Sequence, residues 1–194
     1  MAVSGIDGSG KGFVAARMVE ALRARALRAA GVNSDGWLNL PDRRFSRVNP
    51  VEHFYLHAIR FDELFAGLVL PLRDRRSLRV TVDHTDEAAT GYRKETYAFD
   101  DVDVIVLEGI YLLKPAFRAY YDLSVWIECS FETALKRAVD RAQEGLPPQD
   151  TMHAYQSIYH PAQQIHFLRD DPRRAATLIV DNDPRPATRA DPFS

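Results

Sequence analysis

The sequence has little cysteine, little net charge and no long hydrophobic run. With Cys129 alone among 194 residues, an intramolecular disulfide is excluded. A formal net charge of -2 disfavours non-specific binding to nucleic acid phosphates. Apolar runs such as LFAGLVLPL contain Pro71 and are shorter than the roughly 20 residues that cross a bilayer. The N-terminus has no charged-then-apolar leader, so we expect a cytoplasmic protein with neither a nucleic acid nor a membrane partner.

Strand-like and helix-like stretches alternate along the chain. This alternation predicts an α/β fold in which helices flank a mainly parallel sheet. The runs SLRVTVDH and YRKETYAF alternate polar and apolar residues, which predicts a small β-hairpin insertion. We predict one domain over residues 1–182 and a Pro-rich tail over residues 183–194. The predicted strands are 1–4, 77–84, 92–99, 102–109, 123–129 and 176–181, and residues 32–38 are predicted to be a short strand that runs into a loop. The predicted helices are 13–30, 51–70, 131–144 and 150–168.

The segment GIDGSGKG, residues 5–12, fits the phosphate-loop (P-loop) pattern G-x-x-x-x-G-K-[ST] except at its last position. It follows a predicted strand and precedes a predicted helix, as such a loop requires. Glycines let successive N–H groups converge on an anion at the helix N-terminus, and the lysine adds a mobile positive charge for the outer phosphates. The alternative is a glycine-rich turn that happens to contain a lysine. The predicted nucleotide-binding residues are Gly5, Asp7, Gly8, Ser9, Gly10, Lys11, Gly12 and Phe13.

Gly12 stands where most phosphate loops have a hydroxyl that contacts Mg²⁺. Because Mg²⁺ keeps several waters and uses few protein ligands, a water can take the place of that oxygen. Glu108 ends the apolar run VDVIVLEG, and ligands bind beyond the carboxyl ends of parallel strands. We therefore predict that Glu108 contacts the metal through water. The alternative is a residue that caps the next turn.

Asp35 is the second carboxylate predicted at this edge of the sheet. It follows the short second strand within SDGWL and would face the same cleft from the acceptor side. A carboxylate there can accept the proton of an attacking hydroxyl. The alternative is a turn-forming residue, since Asp-Gly is a common turn pair.

Two arginines lie four residues apart in ALKRAVDRAQEG and therefore share one helical face. Guanidinium groups suit the charge that spreads over a transferring phosphoryl group. We predict that Arg137 and Arg141 belong to a helical lid, with GLPPQ as its mobile tip. The alternative is a solvated basic helix whose charges pair with Glu132 and Glu144.

The motifs GIDGSGKG, SDGW, VLEG, LKRAVDRAQEG and YHPAQQIHF resemble, in order and approximate spacing, the uridine kinase and phosphoribulokinase-like group of P-loop kinases. The resemblance extends from Val3 to about Asn182. It implies a P-loop NTPase fold and transfer of the γ-phosphoryl group of ATP, with Mg²⁺, to a hydroxyl of a small molecule. It also implies that Asp35 orients or deprotonates this hydroxyl, and that Arg137 and Arg141 close over the phosphate.

The acceptor pocket departs from the uridine kinase pattern. Where those enzymes carry Tyr-Asp-Phe followed by His and Arg, this chain reads VDHTDEAATGYR. We predict a nucleoside or similar alcohol as acceptor, and the sequence leaves a homo-oligomer open. The alternative function is a catalytically weak, nucleotide-binding regulatory protein that retains the kinase fold. Besides Asp35, the predicted acceptor residues are Arg44, His53, Tyr55, His84 and Arg93, with Tyr92 a further candidate.

Overall fold

A parallel sheet lies at the centre of the protein. The computed structural model describes residues 1–141 and 146–184. Five strands pair in parallel, which confirms the predicted sheet. Numbered along the chain, their order across the sheet is second, fifth, first, sixth and seventh. The strands of the described residues are β1 (Ala2–Gly5), β2 (Ala29–Asn33), β3 (Leu78–His84), β4 (Arg93–Phe99), β5 (Val104–Gly109), β6 (Ser124–Glu128) and β7 (Leu178–Asp181).

Helices cover both faces of this sheet. The longer ones are amphipathic, and several short ones begin with a proline, which suits the first helical turn. Two segments of wide, π-type helix join α-helices, at Phe65–Val69 and Tyr155–Tyr159. The α-helices of the described residues are α1 (Lys11–Arg23), α2 (Pro41–Arg44), α3 (Pro50–His57), α4 (Phe61–Leu64), α5 (Leu70–Arg75), α6 (Phe131–Arg141), α7 (Pro148–Ala154), α8 (His160–Asp170) and α9 (Pro172–Ala175).

Each sheet face has its own apolar core. On one face, α1 packs Ala15 and Val19 against Val3, Val106 and Ile127. The opposite face lies under a larger cluster that includes residues of α3, α4 and the first π segment. Burial of both faces explains why the central strands read as continuous apolar runs.

The strands β3 and β4 form the predicted antiparallel hairpin, in register from Leu78 opposite Phe99 to His84 opposite Arg93. Tyr97 of the hairpin stacks on the fully buried Trp37, with ring centroids 5.4 Å apart. The hairpin therefore packs on the turn that carries Asp35.

The predicted first helix is too long. It ends at Arg23, because Ala26 adopts a left-handed conformation with φ of 62° and β2 begins at Ala29. The alanines and arginines of this stretch favour a helix, but Ala29 and Ala30 are buried in the sheet beside β5. Tertiary pairing thus overrides the local helical propensity.

The predicted helix over residues 51–70 is also interrupted. Ile59 forms an isolated antiparallel bridge with Leu38, and the Asn39 N–H donates to the Ala58 carbonyl at 2.9 Å. The chain leaves the helical path here because its backbone pairs with the segment after Trp37. The break separates α3 from α4.

Some predictions fall outside the described residues. Residues 142–145 of the predicted lid lie there, as do residues 185–194 of the predicted tail. None of the helices in the described ranges combines the length and apolar character that crossing a bilayer demands.

Gly109, at the end of β5, allows a close approach of the turn after β2. An added Cβ at this position would collide with the Ser34 hydroxyl and lie 2.8 Å from the Ser34 Cβ. We expect Gly109→Ala to lower the free energy of unfolding by about 1–3 kcal/mol. Gly67→Ala is the matched control, since a Cβ there meets no heavy atom within 4 Å. Urea unfolding followed by circular dichroism measures both; equal stability of the two variants would contradict this packing.

Candidate active site

The loop between β1 and α1 has the conformation expected of an anion-binding loop. Gly8 and Gly10 have φ of 77° and 86°, in the left-handed region that favours glycine. Gly10 is the N-cap residue of α1, so the cap supplies no side chain to compete with an anion for the first N–H groups. The helix dipole favours negative charge at the same point. The local structure therefore fits a bound phosphate.

Lys11, the first residue of α1, is a buried cation among carboxylates. Its Nζ lies 4.0 Å from Asp7 Oδ1. Burial opposes its charge, but the nearby carboxylates of Asp7, Glu108 and Asp35 raise its pKa above the ordinary value. The ammonium charge is therefore retained inside the site.

Glu108 and Asp35 come from two adjacent strands. Glu108 is next to last in β5, where it is the register partner of Asn33 in β2 and of Val3 in β1. Asp35 follows β2 in a 3₁₀ turn, and its N–H donates to Asn33 Oδ1 at 2.7 Å. The carboxyl ends of these parallel strands meet at one edge of the sheet, which brings both acids to Lys11.

Burial perturbs both carboxyl groups. It raises the pKa of Glu108 to about 7, although Lys11 opposes the shift. Burial also raises the pKa of Asp35, again against the influence of Lys11. Two acids with raised pKa values beside one buried lysine are a common feature of catalytic sites.

The surroundings of Gly12 are compatible with a metal ion held through water. A Cβ added to Gly12 would lie 3.6 Å from Glu108 Oε1, so the two residues face each other across a small gap. Glu108 Oε2 is buried and has no hydrogen-bond partner in the described part of the protein. That region contains no group of three or more His, Cys, Asp or Glu residues arranged to hold a metal ion. Nucleotide and water oxygens would therefore have to complete the coordination of a Mg²⁺ ion beside Glu108.

A cavity of about 470 Å³ adjoins the loop and Asp35. Its wall is mostly apolar, with a few polar groups, as is usual for a small-molecule site. The residues that line it are Asp7, Asp35, Leu38, Pro41, Arg44, Phe45, Phe54, Glu87, Ala88, Ile110, Leu146, Ala154, Tyr155, Ile158 and Tyr159.

Arg44 is a buried cation in this wall. Its Nη2 donates to the Glu87 carbonyl at 3.0 Å, and its Nε is buried without a hydrogen-bond partner in the described structure. Burial lowers its pKa, although Tyr159, Glu87 and Asp35 oppose the shift. Asp35 and Arg44 are thus the predicted acceptor residues that the structure brings together.

The other predicted acceptor residues lie away from the wall formed by the described residues. His53 Nε2 lies 2.9 Å from a backbone carbonyl oxygen of α2. The Tyr55 hydroxyl is buried and donates to Asp170 at 2.6 Å. His84 Nδ1 lies 3.0 Å from Arg93 Nη2 on the hairpin. These contacts connect elements of the fold around the cavity.

The two predicted lid arginines lie near the loop. Arg137 donates from Nη1 to the Ser9 carbonyl at 3.1 Å and from Nη2 to the Asn182 carbonyl at 2.6 Å. Arg141 donates from Nε to the Arg137 carbonyl at 3.3 Å. The positive charge of Arg141 acts to lower the pKa of Lys11, so the two cations lie within electrostatic range.

Most residues of the cavity wall were not predicted from the sequence. Tyr155 and Tyr159 are four residues apart in YQSIY, a spacing that puts both on one helical side. This spacing is the sequence feature that could have indicated the two tyrosines, but it does not distinguish residues that line a ligand pocket from residues of the hydrophobic core. The missed polar and aromatic residues of the wall are Phe45, Phe54, Glu87, Tyr155 and Tyr159.

The raised pKa of Glu108 predicts a pH-dependent stability. The folded protein holds the Glu108 proton up to about pH 7, whereas the unfolded chain releases it near the ordinary value of 4.5. The folded state thus binds more protons in this window, and wild-type stability falls as pH rises through it. Glu108→Gln lacks this titration. Its free energy of unfolding, relative to that of the wild type, should therefore rise by about 2–3 kcal/mol between pH 5 and pH 8.

Urea unfolding without nucleotide at the two pH values measures this difference. Glu63→Gln, at an exposed side chain, is the matched control. Parallel pH profiles for wild type and Glu108→Gln would show that the Glu108 carboxyl is not perturbed.

Curated relatives of this chain are kinases. Two uridine kinases from strains of Staphylococcus epidermidis are each 25% identical to it over 136 residues. The match covers 68% of this chain but 64% of each relative, which is less than two thirds of their length.

Solved structures show the same fold. A chain described as a Possible Uridine Kinase from Bacillus stearothermophilus superposes with a TM-score of 0.70 at 18% identity, covering 93% of this chain and 86% of that one. A phosphoribulokinase from Rhodobacter spheroides gives a TM-score of 0.64 at 15% identity, with 94% and 70% covered. At these identities the likeness concerns the P-loop kinase fold alone. The Phosphoribulokinase / Uridine kinase family model matches residues 1–164, and the chain belongs to that family.

Proposed function

We propose that the protein transfers the γ-phosphoryl group of ATP to a hydroxyl of a small molecule that binds in the cavity. The observation that carries this proposal is the placement of Asp35. This carboxylate lines the cavity and lies within electrostatic range of the buried Lys11. A group able to accept a proton is thus next to a group able to hold a phosphate.

The nucleotide phosphates would bind to the loop backbone. The N–H groups of Gly8 and Gly10 and those of the first turn of α1 would provide fixed donors, whereas the Ser9 N–H donates to the Ile6 carbonyl at 3.1 Å. Lys11 would contact the outer phosphates. Kinases of this family use ATP, typically with Mg²⁺. When bound, Mg²⁺ would neutralise phosphate charge, with Glu108 as its water-mediated partner.

Asp35 would act on the acceptor. A general base works best when its pKa lies near the working pH, and burial raises the pKa of Asp35 towards that range. Its carboxylate would orient the acceptor hydroxyl and accept its proton as the phosphoryl group is transferred.

Positive charge near the transferred group would come from Lys11 and the lid arginines. Arg141 is the last described residue of α6 and lies within electrostatic range of Lys11. We propose that Arg141 approaches the phosphoryl oxygens when the lid closes. Arg137 would add to this charge from α6, where it donates to the Ser9 carbonyl of the loop.

The cavity suits a compact acceptor with one apolar or aromatic side. Its aromatic residues can pack against a ring, and Arg44 can donate hydrogen bonds to a carbonyl, carboxylate or phosphate oxygen. The curated relatives are named uridine kinases, and a nucleoside or similar alcohol is the acceptor class we propose.

Acceptor-dependent turnover tests the proposal. ADP formation is measured with Mg-ATP and a panel of nucleosides, sugar phosphates and hydroxy acids. With the active acceptor, Asp35→Asn should lower kcat by about 10²- to 10⁴-fold and keep the affinity for an ATP analogue. Asp42→Asn, an exposed neighbour in α2, is the matched control and should keep full activity. Intact ATP binding with no turnover on any acceptor would instead favour a nucleotide-binding regulatory protein.

Arg44 provides a separate test of the cavity. We expect Arg44→Gln to raise KM for the acceptor by about 10- to 100-fold, the usual effect of losing a hydrogen bond to a charged group. KM for ATP should stay unchanged. Arg43→Gln, at the exposed neighbouring residue, is the control. An equal rise of KM for both substrates would show that Arg44 acts through the fold.

A further inference from the structure

The carbonyl oxygen of Ser9, inside the phosphate loop, is held by two side chains. Asn182 Nδ2 donates to it at 2.6 Å and Arg137 Nη1 at 3.1 Å. These donors come from separate elements, since Arg137 lies in α6 and Asn182 follows β7. The loop is therefore bonded to two parts of the chain that are more than 120 residues away in sequence.

The two donors are themselves fixed. Arg137 Nη2 donates to the Asn182 carbonyl at 2.6 Å, which joins the pair to each other. The Asn182 N–H donates to the Glu128 carbonyl at 2.9 Å. Both carboxyl oxygens of Asp183 accept the Ser130 N–H, each at 3.1 Å, just before α6. The segment after β7 is thus anchored to β6 and α6 on each side of Asn182.

Fixing one carbonyl also fixes the next N–H group. A trans peptide unit is planar, so its C=O and N–H point in opposite directions. With the Ser9 oxygen held towards Asn182 and Arg137, the Gly10 N–H is directed to the other side of the loop. In a phosphate loop that side is the anion-binding hollow.

Gly10 fits this arrangement in two ways. Its φ of 86° lies in the left-handed region, and a Cβ added to it would lie 2.5 Å from Asn182 Nδ2. The side chain of Asn182 therefore packs directly on the loop at the residue whose N–H it orients.

We propose that Asn182 is a positioning residue for nucleotide binding, which sets the direction of the Gly10 N–H through the Ser9 carbonyl, with Arg137 as its partner. This proposal rests on the use of residues 5–12 for nucleotide phosphates. Asn182 does not itself contact the phosphate in this role. Its loss should weaken nucleotide binding because the loop then adopts its binding conformation only part of the time.

Two substitutions of Asn182 and one control test the proposal. Asn182→Ala removes the donor, and Asn182→Asp keeps the size of the side chain but has no N–H to donate. Asn39→Ala is the matched control, since the Asn39 amide also donates to a backbone carbonyl, that of His57 at 2.8 Å, away from the loop. Titration calorimetry with a non-hydrolysable ATP analogue gives the affinities, and thermal unfolding without nucleotide gives the stabilities.

We expect Asn182→Ala to weaken analogue binding by about 3- to 10-fold, the usual effect of one hydrogen bond, and Asn182→Asp by at least as much. Asn39→Ala should bind as wild type does, even where its loss of thermal stability equals that of Asn182→Ala. Once the turnover assay has identified an acceptor, KM for ATP should rise in the Asn182 variants, whereas KM for the acceptor should stay constant.

Wild-type affinity in both Asn182 variants, or an equal loss in Asn39→Ala, would overturn the role of Asn182 and leave the proposed phosphate site intact. Failure of the wild-type protein to bind the analogue would overturn the phosphate site itself, and this inference with it.

Discussion

A buried ammonium group needs negative partners, and Lys11 obtains them from three directions. Removing its charge from water is costly unless carboxylates compensate, and Asp7, Asp35 and Glu108 do so. One lies in the loop and the others at the ends of neighbouring strands. The parallel sheet is therefore what assembles the site, because it delivers both strand ends to the lysine. Burial and repulsion from neighbouring carboxylates nevertheless keep the pKa values of Asp35 and Glu108 raised, against the influence of Lys11.

The proposed phosphate side and the proposed acceptor side of this site are built differently. The first is mostly backbone, and its Ser9 carbonyl accepts hydrogen bonds from a side chain of α6 and from that of the residue after β7. The acceptor side is mostly side chain, with aromatic and aliphatic groups around a buried guanidinium. Backbone recognition suits a phosphate chain that all these kinases share. Side-chain recognition suits an acceptor that differs between family members.

Local pattern placed the loop and the two strand-end acids together but missed most of the cavity wall, for a physical reason. The loop, Glu108 and Asp35 lie within short segments, so spacing and strand ends place them from sequence alone. The cavity wall joins α2, α3 and the second π segment, which meet only after the chain folds. Tyr55 illustrates the difficulty, since its polar aromatic side chain suggested a ligand contact and its hydroxyl is bonded to Asp170 in the interior. The early end of α1 at Arg23 likewise depends on pairing between β2 and β5.

The space around residue 12 of the loop does not require glycine. The nearest atoms that a Cβ there would meet are the Glu108 carboxyl group, at 3.6 to 3.9 Å, which is an ordinary van der Waals distance. The backbone at this residue is also regular helix. Steric exclusion of a Cβ therefore does not account for this glycine. A side chain can begin at this position without displacing Glu108, so one residue separates this loop from the full phosphate-loop pattern.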